Sequence, residues 1–164
     1  MSVRYHNFGG VIGWNLQKYF PMLSSDSYLK LQRSTRNKLQ KEYIDYFLST
    51  GEPPMPLVVN LETINRCNST CSFCTANKNA EKRPYKRMED SLFYSIIDQL
   101  AEWGYTGHLT LYGNNEPFLD TRIVEFHKYC REKLPHSFIF LSSNGLLLTV
   151  DKVKEIIPYV NQLI

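Results

Sequence analysis

A chain of 164 residues is long enough for one domain with a sizeable core. Hydrophobic residues at 43% and charged residues at 21% are ordinary for a globular protein, and a formal charge of +3 points neither toward nucleic acid nor away from it. No run is apolar enough for a secretion signal or a bilayer span, so the chain reads as cytoplasmic with no membrane partner, a setting in which cysteines stay reduced and serve as metal ligands or catalytic groups.

Residues 1–52 read as a helical N-terminal extension. Capping residues around Ser25 and Asp26 open a helix that closes on Gly51. Leu39, Tyr43 and Phe47 repeat every four residues as one apolar stripe, and Lys30, Arg33, Arg36, Lys38 and Lys41 make much of the rest basic. That basic surface is a solvated face or, alternatively, a polyanion contact. "GEPPMP" (51–56) breaks the helix and serves as a linker to a second region, 53–164.

In that region "LVVNLETI" (57–64) reads as a buried strand. A cysteine-rich stretch and a basic loop, Lys78 to Arg87, follow. "MEDSLFYSIIDQLAEWG" reads as an amphipathic helix with Asp90 as N-cap, Gly104 as C′ residue and Leu92, Ile96 and Leu100 as its apolar stripe. "HLTLYG" (108–113) is a second strand. "DTRIVEFHKYCREKL" is a second helix capped by Asp120, with Ile123, Phe126, Cys130 and Leu134 inward. "SFIFLSSNG" (137–145) is a third strand ending in a turn, "TVDKVKEIIPYV" a third helix stopped near Pro158, and "NQLI" the start of a fourth strand. Strand and helix alternate three times, which predicts an α/β fold of right-handed βαβ units on a parallel sheet. Such folds keep their chemistry at the carboxyl ends of the strands. The cysteines, "YGNNEP" and "SSNG" each fall just after a predicted strand, so three polar segments far apart in sequence are expected on one rim.

"CNSTCSFC" (67–74) carries three of the four cysteines, Cys67, Cys71 and Cys74; Cys130 stands apart on an apolar helix stripe, where a buried structural thiol is expected. Thiolates hold iron–sulfur clusters, commonly four to a cluster, and catalytic metal sites keep one position open. Zinc with a fourth ligand such as His108 or Cys130 is the alternative. Glu116 before Pro117, and "SSNG", also fit ordinary turns. The basic loop fits a solvated connector, a cover over the site, or a contact with an acidic substrate.

C-x3-C-x2-C with Phe73 just before the third cysteine resembles the radical S-adenosylmethionine (radical SAM) superfamily. "NLETINRCNSTCSFC" is similar to the family's first strand and cluster loop, "LYGNNEPF" to its second-strand Glu-Pro motif, and "LSSNG" to the turn after its third strand. Asn114 and Asn115 stand where the family frequently has glycines. The resemblance covers residues 57 to 164. It implies a partial TIM-type barrel built of parallel βα units, and a four-iron four-sulfur cluster held by Cys67, Cys71 and Cys74. A free iron of that cluster would bind S-adenosylmethionine, whose reductive cleavage yields a 5′-deoxyadenosyl radical that takes hydrogen from a substrate. Gly113, Asn114, Asn115 and Glu116 would lie by the methionine amino group. Ser143 and Asn144 would reach its carboxylate or the ribose, and Phe73 the adenine. Implied partners are an electron donor such as flavodoxin or ferredoxin, and a substrate that is a peptide, protein, RNA or small molecule.

The family's barrel has six or more strand–helix units, so the chain reads as an N-terminal portion cut within the fourth strand, the rest of a longer chain supplying the other half. Besides a radical SAM enzyme, the readings in play are a non-enzymatic iron–sulfur or zinc module and an inactive truncated fragment.

Overall fold

The structure, a computed structural model, describes residues 25–72, 74 and 83–164. The chain divides into two compact units, Met1–Leu57 and Val58–Ile164.

Among the described residues of the first unit, helix α1 spans Ser25–Thr50. It ends as the sequence predicts. Gly51 takes φ 72°, a conformation open to glycine at little cost, and its N–H donates to Phe47 O at 2.8 Å. Leu39 and Tyr43 are half-buried, whereas Phe47 is exposed. The linker turns back on the helix: Tyr43 Oη donates to Pro54 O at 2.9 Å.

The second unit is a parallel sheet with helical crossovers. Strands β1 (Val58–Asn60), β2 (His108–Thr110), β3 (Phe138–Leu141) and β4 (Gln162–Leu163) lie in the order β1-β2-β3-β4. Val58, His108 and Phe138 are in register across the first three strands, and Phe140 pairs with Gln162. Between the strands run α2 (Asp90–Glu102), α3 (Ile123–Lys133) and α4 (Val150–Ile156). This is the α/β architecture expected, with each strand shorter than predicted: the polar residues after Asn60, Thr110 and Leu141 leave the sheet and form the rim.

The core lies between sheet and helices. Leu109, Ile139 and Leu141 of the strands, Leu111 just past β2, and Phe93, Ile97, Ile123, Phe126 and Ile156 of the helices are all nearly or fully buried. Phe93 of α2 stacks on Phe126 of α3 with ring centroids 3.8 Å apart. Ile123, Phe126, Cys130 and Leu134 face inward as the sequence predicts. Of the predicted α2 stripe only Leu100 does. Phe93, Ile97 and Leu100 are buried, while Leu92 is 52% exposed and Ile96 only half-buried. Both sets have helical spacing; the one carrying the aromatic ring wins, because a phenyl group removes the most apolar surface from water.

Other local expectations also shift. Glu89, not Asp90, is the N-cap of α2, and Asp90 sits in its first turn. Gly104, at φ 66°, is the C′ residue as predicted. Arg122 rather than Asp120 precedes α3. Thr149 caps α4, its Oγ1 accepting from Lys152 N–H at 3.3 Å. β1 is not the buried strand expected: at the sheet's edge Val58 is 52% exposed, Asn60 is exposed and Val59 only half-buried. Among the described residues no helix is long and apolar enough to cross a membrane.

Candidate functional site

Three loops leave the carboxyl ends of β1, β2 and β3, and the parallel register brings them to one rim. Glu116 joins them. It follows β2, is only 1% exposed, and accepts three hydrogen bonds. Phe118 N–H donates to Oε1 at 3.1 Å, Ser143 Oγ–H to the same oxygen at 2.8 Å, and Asn144 N–H to Oε2 at 2.8 Å. Its own N–H donates to Arg66 O at 2.8 Å, beside the first cysteine. A buried carboxylate is costly unless its oxygens are satisfied, so this cluster of donors fixes where the three loops meet. Glu116 also caps the short 3₁₀ turn Pro117–Leu119, so the turn reading and the site reading hold together in one residue.

Asn144 carries the connection to the cysteines. Its Nδ2 lies 2.7 Å from Asn68 Oδ1, 3.1 Å from Ser69 Oγ and 3.7 Å from Cys67 Sγ. Gly113 and Asn114 form a turn in front of β2: Gly113 N–H donates to Asn115 Oδ1 at 2.9 Å and Asn114 N–H to Glu62 Oε1 at 3.1 Å. Of the residues singled out in the sequence, Cys67, Gly113, Asn114, Asn115, Glu116, Ser143 and Asn144 are thus linked on one rim. Cys71 and Cys74 belong to the same loop, joined by Cys74 N–H to Cys71 O at 3.1 Å. Phe73 and residues 75–82, which include Lys78 and the first part of the basic loop, lie outside the described residues.

Cys67, Cys71 and Cys74 are free thiols, each half-exposed. Among the described residues, no three His, Cys, Asp or Glu side chains stand together as ligands of one metal ion. A cluster asks for less convergence, because each thiolate takes its own iron. The donor set therefore fits a cluster: three reduced, accessible thiols on one loop beside hydrogen-bond donors. The zinc alternative loses its fourth ligands. Cys130 is fully buried on α3, and burial pushes its thiol up, away from the thiolate a metal needs. His108 opens β2, is in register with Val58 and packs on the Phe138 ring at 4.8 Å, at the opposite end of the strands from the cysteines.

Residues that the sequence did not single out fasten the cysteine loop at its base. Asn65 N–H donates to Lys86 O at 3.1 Å, Lys86 N–H to Asn65 Oδ1 at 2.9 Å, and Asn65 Nδ2 to Pro84 O at 2.9 Å. Arg66 reaches Arg83 O at 2.8 Å and lies over the Tyr85 ring. Ile64 and Arg87 form an antiparallel bridge, and Met88 N–H donates to Thr63 O at 2.8 Å. Part of the basic segment is therefore paired backbone, while Pro84 to Arg87 remain exposed as in a solvated connector. Glu62 adds an ion pair with Arg83 at 3.6 Å. The available signal is the polar pair Asn65 and Arg66 between the predicted strand 57–64 and Cys67.

A buried carboxylate joining the loops after β2 and β3 to the three-cysteine loop after β1 defines a class: an α/β protein with three free thiols and a buried acid at the carboxyl edge of a parallel sheet. Residues 61–163 match the Radical SAM superfamily, and the chain belongs to it. It is similar to an S-adenosyl-L-methionine-dependent 2-deoxy-scyllo-inosamine dehydrogenase of Niallia circulans, 22% identical over 99 residues, 60% of this chain and 39% of that protein. It is also similar to BtrN crystallised with AdoMet and 2-DOIA, with a TM-score of 0.60 at 18% identity over 66% of this chain and 44% of that one. A selenomethionine BtrN structure in an open conformation gives 0.59 at 19% identity, over 66% and 49% of the two chains. The chain therefore spans less than half the length of these relatives, and the structural likeness is one of fold.

Proposed function

We propose that this chain is the cluster-bearing part of a radical SAM enzyme that reductively cleaves S-adenosylmethionine. The observation that supports it best is the Glu116 junction. Membership of the superfamily gives the expected chemistry, and one carboxylate connects the two other motif loops to the loop of Cys67.

Cys67, Cys71 and Cys74 would hold a four-iron four-sulfur (4Fe-4S) cluster, leaving one iron for the cofactor. When bound, the cluster supplies the electron that breaks the sulfonium carbon–sulfur bond, giving methionine and a 5′-deoxyadenosyl radical. The chain's own part is to bind, aim and exclude water. An ionised carboxylate has about four acceptor directions, and three are taken on Glu116, which leaves one that the cationic methionine amine would use, with Gly113, Asn114 and Asn115 beside it. Ser143 and Asn144 are placed for the carboxylate or the ribose, and Phe73 for the adenine. In this reading residues 1–52 are an extension and residues 53–164 the core. A flavodoxin- or ferredoxin-like donor reduces the cluster in a reducing, cytoplasmic setting. No residue of the chain names the substrate.

The test is anaerobic reconstitution with iron and sulfide. About four irons per chain, with the charge-transfer absorption of a cluster, are expected from the wild type, and a large loss of iron from Cys71→Ala. Zinc retained in preference to iron, or iron bound equally by Cys71→Ala, would overturn the assignment.

A further inference from the structure

The Cys67–Ser69 segment is tethered from outside its own loop by one side chain. Asn144 Nδ2 faces Asn68 Oδ1, Ser69 Oγ and Cys67 Sγ at 2.7, 3.1 and 3.7 Å. The Ser69 backbone N–H points at the same sulfur from 3.4 Å. Asn144 is itself held by two hydrogen bonds, and its turn by a third. Its N–H donates to Glu116 Oε2 at 2.8 Å, its Oδ1 accepts from Leu146 N–H at 2.9 Å, and Ser143 Oγ accepts from Gly145 N–H at 3.1 Å. A strut thus runs from the buried Glu116 through the turn after β3 to the first cysteine.

We infer that Asn144 is a positioning residue of the cysteine loop: held by Glu116, its amide fixes Cys67–Ser69 and donates toward the Cys67 sulfur, raising the reduction potential of the cluster that sulfur ligates. The inference rests on the reading of these cysteines as cluster ligands. Two N–H groups are shared among three acceptors. The sulfur is the farthest of the three, but it becomes the one carrying charge once iron displaces its proton, and hydrogen bonds to an ionised acceptor are about twice as strong as neutral ones. Hydrogen bonds to ligating sulfurs are one of the levers on cluster potential, and the partners that orient ligands also govern metal retention. A donor on the sulfur favours the reduced, more negative state, so removing it makes reduction harder. Of the three cysteines, Cys67 is the one toward which donors from both its own loop and the β3 loop are directed among the described residues.

The test compares the full chain with Asn144→Ala and Asn144→Asp, each reconstituted anaerobically and titrated with redox mediators while the reduced-cluster signal is followed. Both variants should shift the potential to more negative values. Asn144→Asp should shift it further, since it places a negative charge beside the sulfur. Iron loss to a chelator should be about 10-fold greater in both. Thermal unfolding of the iron-free chains should be alike, which a merely structural role would not give. Asn144→Asp keeps the oxygen that accepts from Leu146 N–H, so it carries the test if Asn144→Ala fails to fold. Iron-loaded variants with the wild-type potential would overturn the inference alone. A wild type that binds no iron would overturn the cluster reading, and this inference with it.

Discussion

At the scale of single residues, His127 shows how burial sets charge. It is fully buried on α3, its Nδ1–H donates to Ile123 O at 2.7 Å, and its Nε2 has no hydrogen-bond partner among the described residues. Burial pulls the imidazole down to about 4 from its ordinary 6.5, the bond to Ile123 opposing it. Between those values the unfolded chain holds a proton that the folded chain refuses. Its stabilising contribution is therefore complete above about pH 6.5 and is lost as pH falls toward 4, amounting to roughly 3 kcal/mol. Urea unfolding of the iron-free chain at pH 7.5 and 5.0 should show about two-thirds of that loss, and His127→Leu should flatten it; an unchanged pH slope in the variant would contradict the assignment.

Residues on the rim were legible in the sequence to different degrees. Cys67, Cys71 and Cys74 stand out by spacing, and Glu116 by the Glu-Pro pair that follows a strand. Their company was not legible. That Glu116 serves Ser143 and Asn144, 27 and 28 positions away, is a product of the parallel register. Asn65 and Arg66 were missed because their work is to hold backbone at residues 83 to 86, and hydrogen bonds to backbone leave no signature in the partner's residue types.

Among elements, the order of strands and helices follows from periodicity, whereas lengths and faces do not. The predicted strand 57–64 contracts to three residues, because Glu62 and Thr63 turn out of the sheet to serve the rim and Met88. α2 offers two stripes of helical spacing that share Leu100, and packing of Phe93 on Phe126 chooses between them.

A second tie between elements was invisible in sequence. Arg122, at the start of α3, pairs with Asp120 through Nε and Nη2 at 2.8 Å each, donates to Met88 O at 2.9 Å and reaches Asp90 on α2. It also lies over the Phe126 ring at 4.7 Å. Its side chain is 10% exposed and that of Asp120 2%. Burial alone would raise the Asp120 carboxyl, but the hydrogen bonds from Arg122 outweigh it and hold the group below its ordinary range. Arg122→Met leaves a buried carboxylate without its cation and should cost about 3–5 kcal/mol in urea unfolding. Adding Asp120→Asn should recover part of that. A loss below about 1 kcal/mol would show that the pair contributes little, as exposed pairs do.

For the whole molecule, the decisive property is topological. Four parallel strands in sequential order put every post-strand loop on the same edge, so motifs separated by tens of residues become neighbours without long-range design at any one of them. Periodicity in the sequence was enough to predict this edge. What it could not reveal is which chemistry the edge performs, since fold alone does not fix function.

The most direct measurement is formation of 5′-deoxyadenosine. The iron-loaded, reduced chain would be incubated with S-adenosylmethionine and compared with Cys71→Ala prepared in the same way. The account predicts 5′-deoxyadenosine and methionine in equal amounts from the wild type and none above background from the variant. An iron-loaded wild type that leaves S-adenosylmethionine intact, or a variant that cleaves it equally well, would contradict the claim that these three cysteines hold the centre of radical chemistry.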